Sequence, residues 1–186
     1  MLNAYDFDET IYDGDSSVAF YLYSLKRNKK VLLVLFKQIW AFILYKLKRI
    51  DKTHMKERLF SYVKYFDNID VIIDDFWKEK EKNIKKWYLD QKKDTDVIIS
   101  ASPEFLLKPL EEKLNITVIA SRVDKKTGKF LSKNCHDYEK IKRYEELYSD
   151  KINEFYTDSI KADKAMLEYA KEGYIVKKNN ITKYQK

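Results

Sequence analysis

The chain's first apolar segment, Leu2–Tyr5, runs straight into the acidic residues Asp6 and Asp8. It reads as a short buried strand ending in a polar loop. The next run of this kind, Val97-Ile98-Ile99, comes only after a long stretch with helical character, residues 15 to 93. From there on, strands and helices alternate. Pro103 is placed to open a helix over Glu104–Leu114. A strand follows at Ile116–Ala120, then a hairpin turn at Thr127-Gly128-Lys129. Ile141–Tyr148 reads as helix, Ile152–Tyr156 as strand, Asp163–Lys171 as helix and Tyr174–Val176 as a last strand. This alternation implies an α/β fold with a doubly wound parallel sheet covered on both faces. The expected division is a discontinuous core, residues 1–14 and 94–186, with a helical cap, residues 15–93, inserted after the first strand. The chain has only three Gly and two Pro, which suits long helices better than many hairpins.

With 186 residues the chain can bury one sizeable core and a modest insertion. Apolar residues make up 45% and charged residues 36%, a globular rather than disordered balance. The net charge of +7 favours anionic partners. Its lysines are scattered, however, and no nucleic-acid-binding signature accompanies them, so no nucleic-acid partner is expected. A single cysteine, Cys135, excludes an internal disulfide and suits a reducing cytoplasm. The neighbours Cys135 and His136 read as a loop pair rather than a nucleophile and its base. The N-terminus opens directly on a strand, so no signal peptide is expected.

In parallel sheets the polar residues beyond the carboxyl ends of strands form the site. Three strand ends here carry Asp6 and Asp8, Ser100, and Asp158. Asp6 and Asp8, two apart, share one face of an extended chain. Carboxylates held that close repel, and such a pair needs a cation or a shared proton. Asp158 and Asp163 add two more carboxylates, a donor set suited to a hard cation such as Mg²⁺. Ser100 and the amides after it, at Ala101, can hold phosphate oxygens at a helix start. A lysine can neutralise charge on a transferring phosphoryl group. Taken one at a time, each of these acids also reads as a solvated loop residue or a helix cap, Asp158 and Ser159 especially.

Together these segments resemble the haloacid dehalogenase superfamily. Asp6-Phe7-Asp8-Glu9-Thr10 is similar to its first motif, Asp-x-Asp-x-Thr, and Ser100 to its second. Lys140 resembles the third, and Asp158 through Asp163 the fourth in its longer-spaced form. The insertion lies where this family places its first-type helical cap, as in phosphoserine phosphatases. The resemblance implies a Mg²⁺-dependent phosphatase acting through an aspartyl-phosphate on a small phosphorylated metabolite, phosphoserine-like or similar. Asp6 is then the nucleophile and Asp8 the acid and base. Ser100, Ala101 and Lys140 bind the phosphoryl group. Asp6, the Asp8 carbonyl and Asp158 bind the metal; Asp163 ligates it or orients a bound water and Lys140. Glu9 and the pair Tyr156-Thr157 depart from the usual pattern, which often has Gly there. The other readings are a phosphotransferase or mutase, and a non-catalytic relative that binds a partner.

Substrate choice is expected in residues 15–93. Asp15 falls near the acid that reads the substrate amine in phosphoserine phosphatases, and also reads as a helix cap. Arg58 falls near their carboxylate-binding Arg, and also reads as a surface charge. Val31–Leu47 is apolar apart from Lys37, Gln38 and Lys46, with basic flanks. It is too short to span a bilayer. Burial is its ordinary explanation, with a dimer contact or peripheral membrane contact as the others. The last of these accompanies a resemblance to the superfamily's phosphatidylglycerophosphate phosphatases, carried also by Ala120-Ser121-Arg122 and Tyr156-Thr157-Asp158-Ser159. It implies a lipid head-group phosphate as the alternative substrate, and membrane association.

Overall fold

The computed structural model describes residues 2–186. Its six-stranded sheet has the order β3-β2-β1-β4-β5-β6. These strands are β1 (Asn3–Tyr5), β2 (Val97–Pro103), β3 (Thr117–Ser121), β4 (Glu154–Thr157), β5 (Glu172–Lys177) and β6 (Asn180–Lys183). All neighbours run parallel except β5 and β6. β1 to β4 are almost wholly buried, as expected of parallel strands covered on both faces. Tyr5, Tyr156 and Tyr174 stand opposite one another on β1, β4 and β5. Their rings stack at 4.8 Å between centroids at each step. This ladder pins the register that sets the end of β1 beside the end of β4.

Between β1 and β2 the described elements are helical. They are α1 (Ser16–Arg27), α2 (Leu35–Lys46), α3 (Lys52–Phe60), α4 (Ile69–Lys80) and α5 (Lys86–Gln91), joined by short 3₁₀ turns. Side-chain caps start several of them: Asp15 for α1, Asp51 for α3 and Asn68 for α4. After β2 come α6 (Glu104–Leu107), α7 (Pro109–Leu114), α8 (Tyr138–Glu145) and α9 (Ile160–Tyr169). Phe20, Phe76, Trp77 and Tyr62 of the helical insertion join Phe7 and Tyr12 in one apolar cluster. A second cluster packs Val97, Ile99 and Phe155 on Tyr144, Met166 and Leu167 of α8 and α9.

The structure differs from the sequence reading in four places. The helix expected over Glu104–Leu114 is two pieces, because Pro109 has no amide to continue the first. β6 carries no legible pattern, since all four of its residues are exposed. α9 begins earlier, at Ile160, capped by the Ser159 side chain, and is interrupted at Asp163 (φ −131°, ψ 24°). Val31–Leu47 is a 3₁₀ turn followed by α2, and it is not buried: most of its large apolar side chains face outward.

The loop between β3 and α8 reaches up to the insertion. Val123 and Phe130 form an antiparallel bridge, with Gly128 at φ +77° in the turn between them. The Phe130 amide donates to Glu57 Oε1 of α3 at 2.9 Å. A Cβ on Gly128 would stand 2.5 Å from the Phe60 carbonyl oxygen, a main-chain atom that cannot swing aside. Gly128→Ala therefore forces the loop and the insertion apart and strains φ as well. The expected cost is about 1–3 kcal/mol, read as a lower urea midpoint at unchanged slope.

Candidate active site

The carboxyl ends of β1, β2 and β4 open into a cavity of about 760 Å³ between the sheet and the helical insertion. All eight residues expected from the sequence line it: Asp6, Asp8, Asp15, Ser100, Ala101, Lys140, Asp158 and Asp163. Arg58 does not; Lys52 and Lys56, from the same helix, do.

At the floor lies a three-membered ionic chain. Lys140 Nζ, on a side chain 2% exposed, stands 2.7 Å from Asp6 Oδ1 and 2.7 Å from Asp163 Oδ1. The other Asp163 oxygen accepts from the Thr157 hydroxyl at 2.8 Å. One Asp163 oxygen thus accepts a hydrogen bond and the other only meets the Lys140 ammonium, at the point where α9 is interrupted. Burial works against the Lys140 ammonium, but Asp163 and Asp6 outweigh it and hold its pKa above the usual value. Burial pushes the Asp6 carboxyl up, to about 7, against the pull of Lys140. Lys133 and Lys142, the other lysines nearby in sequence, are exposed and lie outside the cavity wall.

Thr10 ties the first loop to the fourth. Its hydroxyl donates to Asp6 Oδ2 at 3.3 Å and accepts from the Asp158 amide at 2.9 Å. Glu9, between the key residues, sits at φ +60°. That is the left-handed region glycine tolerates best, which explains in this chain's own geometry why Glu is unusual there. Its amide donates to the Gly14 carbonyl, and its carbonyl accepts from Lys85 Nζ at 2.6 Å.

Asp8 is held differently. Its Oδ1 accepts from the Ser16 amide at 2.6 Å and its Oδ2 from the Ser102 hydroxyl at 2.5 Å. Burial, and next the Asp15 carboxylate, raise its pKa, so it keeps a proton more readily than a surface acid. Asp15 caps α1 through the Val18 amide at 2.9 Å, and it also lines the cavity.

Asp158 is half-buried, and burial raises its pKa, offset first by Lys177. Among the described residues, no three His, Cys, Asp or Glu side chains cluster closely enough to hold a metal unaided. Asp6 and Asp158 both line the cavity. A magnesium site that water and a substrate phosphate complete needs few protein carboxylates.

Ser102 and Lys56 are the two side chains that sequence reasoning missed. Ser102 had a local signal, since it lies two residues beyond Ser100, and its amide donates to Ser100 Oγ at 3.1 Å. Lys56 had none, being one of 37 basic residues. It donates to the Ala101 carbonyl at 2.7 Å and to Asn134 Oδ1 at 3.1 Å. Cys135 and His136 face apart: the thiol lies in the second core cluster and His136 in the cavity wall. Burial pushes that thiol up to about 11, which leaves it unreactive.

The sequence pattern of the haloacid dehalogenase-like hydrolases matches residues 4–168. The chain belongs to that family. No curated protein matches it in sequence. Its fold is similar to that of a protein of unknown function from Bordetella pertussis Tohama I. The two share 13% identity over 92% of this chain and 88% of that one, with a TM-score of 0.70. A phosphoserine phosphohydrolase-like protein from Francisella tularensis shares 15% identity, over 93% of this chain and 86% of its own, at 0.53. For a probable phosphoserine phosphatase from Vibrio cholerae the figures are 14%, 93% and 55%, at 0.56. Identities this low speak for the fold alone. Among the described residues, no helix is long and apolar enough to cross a membrane.

Burial, and next the neighbouring Lys52, lower the Lys56 pKa from 10.5 to about 8. Between those values the unfolded chain holds a proton that the native state has released, so stability rises with pH across that window. Subtracting the curve of Lys56→Met from that of the wild type should therefore leave a difference that grows in the wild type's favour from pH 8 to pH 10. Chemical denaturation at a series of pH values measures it, and a flat difference would mean an ordinary lysine.

Proposed function

We propose that this protein is a magnesium-dependent phosphomonoester hydrolase that works through an aspartyl-phosphate on Asp6. The observation that carries the reading is the contrast between two carboxylates in one cavity. Asp6 is paired with an ammonium, which pulls it toward its charged, nucleophilic form against the burial that raises it. Asp8 is buried beside Asp15, which favours a transferable proton against the pull of its Ser16 and Ser102 donors.

In the first step the Asp6 carboxylate attacks phosphorus and the bond from phosphorus to the ester oxygen breaks. Asp8 gives its proton to that leaving oxygen. In the second step Asp8 takes a proton from water, the resulting hydroxide attacks phosphorus, and inorganic phosphate leaves as Asp6 is regenerated. Lys140 holds Asp6 in line and offsets negative charge at the floor, and Ser100 with the Ala101 amide lies beside the phosphoryl group. Asp163 acts through Lys140, whose ammonium it positions. Bound magnesium would be held by Asp6, the Asp8 carbonyl and Asp158, and supplies charge neutralisation for the phosphate. The helical insertion serves as the cap that closes the cavity. The phosphoserine-like reading keeps Asp15 as a reader of a substrate amine, while Lys52 and Lys56 rather than Arg58 are the α3 cations within the wall.

Asp6→Asn should lower turnover of p-nitrophenyl phosphate with Mg²⁺ by more than about a thousandfold while the circular dichroism spectrum stays native. Asp8→Asn should cost about 10²–10⁴-fold in kcat. Undiminished turnover in either variant sinks the mechanism.

A further inference from the structure

The apolar wall of the cavity does not stop at its mouth. Leu35, Ile39, Phe42 and Ile43 of α2 line the cavity. Phe36, Trp40 and Leu47 lie beside them on the adjoining face of the same helix, and they are 88%, 57% and 63% exposed. At 3.6 residues per turn these seven side chains fall on one broad apolar arc, with Ile43 at the join, and Lys46 enters it in the last turn, its ammonium 5.2 Å from the centre of the Phe42 ring. Leu33, in the turn before α2, extends it and is 71% exposed. Gln38, which also lines the cavity, anchors the helix: it accepts from the Tyr21 hydroxyl at 2.9 Å and donates to the Leu59 carbonyl at 2.8 Å. An exposed apolar surface this broad marks an interaction site.

Charge identifies the occupant. From Ser16 to Ile50 the chain has no Asp or Glu. Lys29, Lys30, Lys37, Lys46, Lys48 and Arg49 are all exposed around the arc. A second copy meeting this face through a two-fold axis would set those cations against themselves. An anionic lipid surface matches both the apolar arc and its basic border. α2 has twelve residues, too few to span a bilayer, and the right length to lie along one.

We infer that α2 and the turn before it dock on an anionic lipid surface, and that the cavity takes a phosphate monoester bearing an apolar tail. The tail runs from the surface along Phe42, Ile43 and Ile39 to a phosphate at Asp6. The docking stands on the exposed arc and its charges alone; the substrate class rests on the hydrolase reading.

The test uses the full chain with Mg²⁺. Vesicles of phosphatidylcholine with 30% phosphatidylglycerol should co-sediment the protein, and pure phosphatidylcholine vesicles should bind it at least tenfold more weakly. The double substitution Phe36→Ser with Trp40→Ser, at residues outside the cavity wall, should weaken vesicle binding at least tenfold and leave p-nitrophenyl phosphate turnover unchanged. Lysophosphatidic acid, below its micelle concentration, should exceed glycerol 3-phosphate in kcat/KM at least a hundredfold, since the two share a head group and differ in the tail. Failure to sediment with anionic vesicles overturns the docking. So does a dimer, seen by sedimentation velocity, that the double substitution dissolves. Equal kcat/KM for the two esters overturns the substrate class. Loss of all p-nitrophenyl phosphate turnover in the wild type defeats the hydrolase reading instead, and vesicle binding then still decides the docking.

Discussion

A lysine ammonium with almost no access to water holds this structure's centre. Lys140 comes from α8, Asp6 from the end of β1 and Asp163 from α9, so one buried charge ties three distant segments together. Left unpaired at that depth, the ammonium would cost several kcal/mol. Two carboxylates at 2.7 Å remove that cost and leave a net negative charge at the floor. Everything polar around it follows: the Thr157 hydroxyl on Asp163, the Thr10 bridge between loops, and the break in α9. The negative charge remaining is one that a bound cation would offset.

Above that floor the cavity changes character. The wall from α2 is aliphatic and aromatic apart from Gln38, and that from α3 sets Met55, Leu59 and Phe60 beside Lys52 and Lys56. The acidic floor and an apolar face are therefore separated by position within one space. The seam between sheet and insertion is fixed on one side by Lys56, Glu57 and the Gly128 turn. α2 carries no such tie to the sheet; its anchors are Tyr21 and Leu59 within the insertion.

The sheet was legible because parallel strands buried on both faces are continuous apolar runs that end abruptly in polar residues. That pattern located the starts of β1, β2 and β4 to within two residues, and with them Asp6, Asp8, Ser100 and Asp158, although β2 runs on to Pro103. Lys140 and Asp163 needed the family's motif order, because a single Lys or Asp on a helix has no distinguishing neighbours. β6 escaped because a strand exposed on both faces has no alternation. Ser102 and Lys56 escaped because their partners are 94 and 45 residues away. The exposure of α2 escaped for another reason: periodicity shows that a helix is apolar, and only packing decides which of its faces stays uncovered.

The position of β1 at the middle of the sheet reaches beyond the finished molecule. It comes before both of its neighbours in the chain, β2, starting at Val97, and β4, starting at Glu154. Until roughly four-fifths of the 186 residues exist, this strand lacks one of the edges it pairs with. The helices of the insertion can form from nearby contacts in the meantime; the sheet cannot close. Pairings so distant in sequence slow folding and leave an apolar strand exposed for longer. Nascent chains of this protein should therefore depend on helpers that shield Leu2–Tyr5 during synthesis, and the Asp6–Thr10 loop is among the last parts of the chain to take shape.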